Sequence, residues 1–323
     1  MRPSNKSSVF PNHHCQPHRG VAISGKYTQI TNRREDRQPK GWSIMKKLIA
    51  LVMAALMVML CFAACGGNDT PTTANGNNTT APGNTEKPTI VVGYTEYAPM
   101  NYEDENGELV GFDTELAKAV FGNLGYEVMF QLIDWSARYT DLQSGTIDCI
   151  WNGFTCNSTD DDGVARSEKV DFSYNYMENR QVIVAKTDSG IATAADLAGK
   201  VAGVENGSAG ESYAKGFEGV MTTGFDYQTT ALFEVKAGTV DFAVLDAQLA
   251  KSYCGKGDYA DIAIVDGLSS DVEYYAIGFE KGSDLTAKVN AELEKLAADG
   301  TIAALGEKYG VATTVITDFS DQK

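Results

Sequence analysis

Two stretches of this 323-residue chain follow one pattern, 93 residues apart: "LQSGTIDCIWNG" from Leu142 and "VKAGTVDFAVLD" from Val235. In each, a helical segment stops at a glycine, Gly145 or Gly238, the residue suited to the left-handed position that ends helices. Each then runs through Thr, a β-branched residue and Asp into a short apolar run that reads as a buried strand. Two such units imply two similar lobes, and the globular part, about residues 88–323, is long enough for both. The elements around the first unit are consistent with this. "TIVVGY" (89–94) reads as a strand. Asp113 is placed to cap "TELAKAVFGNLG", with Leu116, Val120 and Leu124 on one face and Gly125 as the stop. "YEVMFQLI" (126–133), a helix around 137–143 and "TIDCIW" follow. This alternation predicts an α/β fold with a mostly parallel sheet in each lobe, flanked by helices.

Ligands of open α/β sheets bind beyond the carboxyl ends of strands. Those ends are Asn152-Gly153-Phe154-Thr155 in one unit and Asp246 in the other. A third lies in "KVAGVENGSAGESYAKGF", where Ser208-Ala209-Gly210-Glu211 has the form of a capping box. A helix start presents free N–H groups and favours an anion. Gly207 and Gly210 let another group approach the backbone closely.

The first 64 residues differ from the rest. They carry all three histidines and 10 of the 27 Lys and Arg residues. Met45-Lys46-Lys47, an apolar run over Leu48–Ala64 and Cys65-Gly66-Gly67 read as a signal peptide over 45–64. An uncleaved anchor helix is the other reading; the 17-residue run is at the short edge for a span, which usually needs about 20 residues. Residues 1–44 show no apolar periodicity and are expected to be a non-native or untranslated extension. Residues 65–87, rich in Gly, Asn, Thr and Pro, read as a flexible tether.

From Cys65 onward the chain holds 17 of the 27 basic and 41 of the 43 acidic residues, a net charge of −24 with no histidine. That excludes nucleic acid as a partner and histidine-based catalysis or metal ligation. Cys149, Cys156 and Cys254 lack zinc-ligand spacing. A Cys156–Cys254 bridge is open, beside the plainer reading of small apolar residues. No metal or cofactor is expected.

Several pieces, in this order, resemble the polar amino acid family of extracytoplasmic solute-binding proteins of ABC importers, the family 3 type. They are "YAPMNYEDENGELVGFDTELAKAV", "LQSGTIDCIWNGFT", "VDFSYNYMENRQVIVAK", "GVENGSAGESYA", "VDFAVLDAQLA", "IGFEKGSDLTAKVNAEL" and "DGTIAALGEKYG". Ala63-Ala64-Cys65 resembles the lipobox of bacterial lipoproteins, with Phe62 where that pattern prefers Leu. The resemblance implies a type II periplasmic-binding-protein clamshell joined by two crossing strands, near 176–180 and 271–275. Lobe 1 would be 88–178 plus 274–323, and lobe 2 would be 179–273.

The resemblance also implies roles. Gly153, through its carbonyl, and Thr155, through its hydroxyl, would meet the α-ammonium of an amino acid, with Asp246 as its counter-ion. Arg166 and the N–H of Ala209, beside the Ser208 cap, would meet the carboxylate. Tyr97 and Trp135 would sandwich the side chain, Asn152 would alter the pocket's polarity, and Tyr94 and Glu96 could face the ligand side chain. Trp151 and Phe154 read as packing, and Lys169 as a solvated cation. One departure stands out: the family arginine follows a Thr-like position, here Asn157, by three residues, and Arg166 follows it by nine. Six residues are therefore inserted in "STDDDGVA". A zwitterion leaving water needs each charge paired, and a guanidinium suits a carboxylate.

The expected protein is thus non-catalytic and monomeric. It would be lipid-anchored at Cys65 outside the cytoplasm and deliver an amino acid to permease subunits of an ABC transporter. The alternatives are a cleft enzyme of the same fold, a dehydratase acting on a small carboxylate, for which Glu96 and Asp246 are the candidate acid–base groups, or the ligand-binding module of a sensor.

Overall fold

The computed structural model describes residues 87–322. The expectations for the signal peptide, for Cys65 and for the tether up to Glu86 lie outside the described residues.

The chain opens with β1 (Thr89–Tyr94), a small hairpin of β2 (Tyr102–Glu103) and β3 (Leu109–Val110), α1 (Phe112–Asn123), β4 (Glu127–Leu132), α2 (Arg138–Gln143), β5 (Cys149–Ile150), α3 (Arg166–Lys169) and β6 (Asp171–Phe172). After β7 (Met177–Asn179) come β8 (Gln181–Lys186), β9 (Val201–Glu205), α4 (Ala209–Lys215), β10 (Met221–Phe225), α5 (Gln228–Ala237), β11 (Phe242–Asp246), α6 (Ala247–Tyr253) and β12 (Ile262–Ser269). Finally β13 (Glu273–Tyr275), β14 (Gly278–Phe279), α7 (Leu285–Ala298) and α8 (Thr301–Lys308) return to the first sheet.

One sheet runs β4-β1-β5-β14-β6 and the other β10-β9-β11-β8-β12. Strands joined through helices pair in parallel: β1 with β4 and β5, and β9 with β10 and β11. Strands next to the passage between sheets pair antiparallel: β14 with β5 and β6, and β8 with β11 and β12. Each sheet is therefore mixed, because a chain that leaves a sheet and returns need not keep its direction. The passage itself is β7 paired antiparallel with β13, with Glu273 opposite Asn179 and Tyr275 opposite Met177. This is the expected pair of crossing strands.

The repeated sequence pattern has a physical basis. Gly145 and Gly238 both adopt left-handed φ, 72° and 79°. The Asp three residues after each glycine then binds the neighbouring strand at both its ends. Asp148 donates its N–H to the Val91 carbonyl (2.8 Å) and accepts the Val91 N–H on its side chain (2.7 Å). Asp241 does the same with Val201, at 2.9 and 2.8 Å. In both lobes this bond sets the register in which the central strand enters its sheet.

One helix start differs from the sequence reading. Asp113 does not cap α1. The N-cap is Gly111, and the first-turn N–H groups of Phe112, Asp113 and Thr114 donate to the carbonyls of Pro99 and Met100. The preceding loop satisfies the helix end, and Asp113 is free for a tertiary bond.

Candidate ligand-binding site

At the carboxyl ends of β5, β9 and β11, between the two sheets, the chain forms a narrow cavity with about 10 Å³ of free volume. It is lined by Trp135, Asn152, Gly153, Thr155, Arg166, Gln181, Glu205, Ser208, Ala209, Gln228 and Asp246. Residues far apart in sequence thus meet as the three strand ends suggested.

Gly153 turns the chain out of β5 with φ at 57°, and an added Cβ would lie 2.7 Å from the Tyr97 ring and 3.1 Å from that of Tyr275. Only glycine fits both the conformation and the space. Its N–H donates to Asp113 Oδ2 (2.8 Å), which also accepts from the Tyr176 hydroxyl (2.9 Å). Burial lifts the Asp113 carboxyl to about 7, although these two donors pull it down. Asn152 fixes the same loop from the other side. Its amide accepts from Thr95 Oγ1 and donates to the Thr95 carbonyl and to Asn101 Oδ1, at 2.7–2.8 Å. Its polarity therefore serves to tie two loops together. Thr155 donates its hydroxyl to Glu273 Oε2 (3.2 Å).

Arg166 is 1% exposed despite the longer loop before it. Its Nε donates to Asp160 Oδ1 (2.8 Å), Nη1 to the Thr155 carbonyl (3.1 Å) and Nη2 to the Gly207 carbonyl (3.3 Å). The bond to Gly207 spans the two sheets. Asp160 lies within the inserted stretch and also takes Arg138 Nη2, Lys169 Nζ and the Tyr139 hydroxyl. Burial works against its charge, but Arg166, Lys169 and Arg138 outweigh burial and hold the carboxyl at about 2. Lys169 is therefore not a free surface cation, for it pairs with both Asp160 and Asp162. Arg138 donates Nη1 to the Trp135 carbonyl (2.7 Å).

Across the cavity, Asp246 accepts three amide N–H bonds. Asn179 and Gln181 donate to Oδ1 and Gln228 to Oδ2, each at 2.6 Å. Burial raises its pKa, and these amides oppose the rise. Gln181 also donates to Glu273 (2.9 Å), so one amide bridges two acids. Burial and then the Asp246 charge lift Glu273 to about 7, and the same two causes lift Glu205 to about 8.

Trp135 lines the cavity, its ring edge-on to Phe154 with centroids 5.2 Å apart. Trp151 and Phe154 are core, as read from the sequence. Tyr97 is not among the lining residues; its hydroxyl is tied to that of Tyr275 (2.7 Å), which holds the ring behind Gly153. Tyr94 and Glu96 also lie outside the lining, and Tyr94 packs edge-on against Phe130. Ser208 Oγ accepts the Glu211 N–H (3.0 Å), but the Glu211 carboxylate reaches back to the N–H of Gly207, one residue before the cap. Cys149, Cys156 and Cys254 are free thiols.

Sequence reading missed Gln181, Glu205, Gln228 and Glu273. Glu205 and Gln181 carried a usable signal: each is a polar residue at the end of an otherwise apolar strand. Gln228 and Glu273 carried none that separates them from surface residues.

Residues 90–312 match the family described as bacterial extracellular solute-binding proteins, family 3. The chain belongs to that family. It is 30% identical over 268 residues to the arginine-binding extracellular protein ArtP of Bacillus subtilis (strain 168), a match covering 82% of this chain and 98% of that one. The solved structure of an ancestral arginine-binding protein bound to arginine is 38% identical, with a TM-score of 0.63, over 68% of this chain and 97% of that one. The ancestral amino acid-binding protein AncCDT-1, a precursor of cyclohexadienyl dehydratase, is 32% identical, with a TM-score of 0.61, over 68% and 95%. The likeness to these solved structures supports the two-lobed α/β clamshell described above.

Proposed function

We propose that this chain captures one free amino acid in the cavity between its lobes and delivers it to the permease subunits of an ABC importer. The observation that carries the reading is the meeting, in one cavity between the sheets, of a buried guanidinium at the start of α3 and a buried carboxylate at the end of β11. Arg166 takes the α-carboxylate. Three of its five N–H bonds are engaged as described above, which leaves one on each terminal nitrogen. Ala209, in the first turn of α4, contributes its N–H. Asp246 takes the α-ammonium, with the Gly153 carbonyl and the Thr155 hydroxyl beside it. Trp135 supplies an apolar wall for the side chain. Tyr97 supports Gly153 from behind.

The lobes are assigned as 88–178 plus 274–323 and 179–273, and ligand draws them together about the β7–β13 pair. The protein acts outside the cytoplasm, as a monomer, held to the membrane by lipid at Cys65. It is a receptor and not an enzyme. The likeness to a dehydratase precursor favours the enzyme reading only at the level of fold, since that relative is itself named as an amino acid-binding protein.

Removing one partner of a buried charge pair costs about 3–5 kcal/mol. Arg166→Met and Asp246→Asn should therefore each weaken amino acid binding by roughly 100-fold or more, at about 1.4 kcal/mol per tenfold. Titration calorimetry of both variants against the wild type tests this. Wild-type affinity in either variant would remove that residue from the site.

A further inference from the structure

The cavity's free volume of about 10 Å³ is roughly that of one water, so a larger molecule enters or leaves only when the two sheets move apart. Contacts across the mouth of the cleft therefore govern exchange. Two of them involve the stretch inserted before Arg166.

Asp161 Oδ2 accepts from Lys215 Nζ, in the last turn of α4, at 2.6 Å. Lys215 also meets the Glu211 carboxylate one turn earlier (2.8 Å), and the second oxygen of that carboxylate accepts the Gly207 N–H (2.7 Å). The carbonyl of the same glycine accepts Arg166 Nη2 (3.3 Å), and Arg166 Nε returns to Asp160, the residue before Asp161. The links run from Asp161 through Lys215, Glu211, Gly207 and Arg166 back to Asp160, a ring that crosses the cleft twice. The ring turns at Gly207, where φ is 71° and an added Cβ would lie 3.2 Å from Arg138 Nη1.

The ring joins the β5–β6 connection of the first sheet to the β9–α4 connection of the second. Beside it the mouth is open: a space of about 270 Å³ is lined by Ser136 and Tyr139 on one side and Ser212 on the other. Asp161 and Lys215 are 51% and 43% exposed, so salt reaches the pair and the pair can break. We infer that the inserted stretch is a latch: Asp161 and Lys215 hold the lobes closed, and their pair breaks before the cleft opens. An ion pair of this kind adds little to folding, but it acts in full on the small free-energy difference between closed and open lobes. The latch belongs to the protein's own opening and does not depend on which molecule the cavity takes.

The test is hydrogen exchange, read by mass spectrometry, on the full-length protein without ligand, for Asp161→Asn, Lys215→Met and the double variant. Each single variant is read on the side of the cleft to which the changed residue does not belong: Asp161→Asn at residues 205–209, and Lys215→Met at residues 150–156. A role confined to one lobe leaves those amides unchanged. Each single variant should speed exchange there about two- to fivefold, the range that one exposed ion pair supplies. The double variant should exchange no faster than the faster single, because both changes remove the same contact. Raising salt from about 0.1 to 1 M, which shortens the screening length from about 10 to 3 Å, should speed exchange in the wild type and little in the variants. Lys288→Met, which breaks the exposed pair with Asp284 at the start of α7, should change neither segment. Unchanged exchange across the cleft in either single variant, or single effects that add in the double variant, overturns the inference.

Discussion

Asp113, Glu205 and Glu273 are carboxyls that folding removes from water without a cation in contact, and burial lifts them to about 7, 8 and 7. A raised folded pKa has one sign. Each group's contribution to stability is complete below its ordinary value near 4 and is lost as pH rises through the folded value. The ligand-free protein should therefore melt at progressively lower temperature from pH 5.5 to 8.5, and Glu205→Gln should flatten that slope. A melting temperature that climbs towards pH 8.5 would contradict the assignment. Asp113 makes a separate contribution, because it alone holds both the Gly153 N–H and the Tyr176 hydroxyl. Asp113→Ala leaves two buried donors unpaired and should cost about 2 kcal/mol or more. It should also weaken ligand binding, since Gly153 loses its anchor. The neighbouring sequence hides this role. An Asp before an amphipathic run reads locally as a cap, and only the fold shows that the Pro99 and Met100 carbonyls have already taken the first-turn donors.

At the scale of elements, the inserted stretch before Arg166 brings in a counter-ion for the arginine. Asp160 collects Arg138, Arg166 and Lys169, so Asp160→Ala leaves two buried guanidinium groups without their shared anion. We expect a loss of about 3 kcal/mol, read as a drop in unfolding midpoint. Here the sign is the reverse of that for Glu205. A carboxyl held at about 2 stabilises the protein above its ordinary value and loses that contribution only as pH falls towards 2. Asp161, also in the insertion, meets Lys215 of α4 at 2.6 Å with both side chains about half exposed. Solvent screens such a pair, and Asp161→Asn should leave the melting temperature nearly unchanged. The repeated glycine and Asp pattern was legible in sequence because its causes are local: a left-handed cap and a fixed offset to the next strand. Which of three consecutive aspartates would bind Arg166 was not legible. The three are locally equivalent, and only the tertiary positions of Arg138 and Lys169 distinguish them.

At the scale of the whole molecule, the two-lobed architecture was readable from the order of motifs, whereas the cavity's polar lining was not, because Gln181, Glu205, Gln228 and Asp246 come from β8, β9, α5 and β11, which lie well apart in sequence. The β7–β13 pair links the sheets, and the Arg166–Gly207 and Asp161–Lys215 contacts span the cleft. A ligand held by both lobes favours the closed state by its differential affinity. Small-angle scattering should therefore give a smaller radius of gyration with ligand than without. A chain starting at Glu86 should fold and bind like the full-length protein, since the core is built from residues beyond it. The central claim is that one amino acid is gripped at both ends, by Arg166 and by Asp246. Calorimetry with the preferred amino acid, its decarboxylated analogue and its deaminated analogue tests that most directly. We expect one-to-one binding of the amino acid and a loss of roughly 100-fold or more for each analogue. An analogue lacking either group that binds as tightly as the parent amino acid would contradict the account.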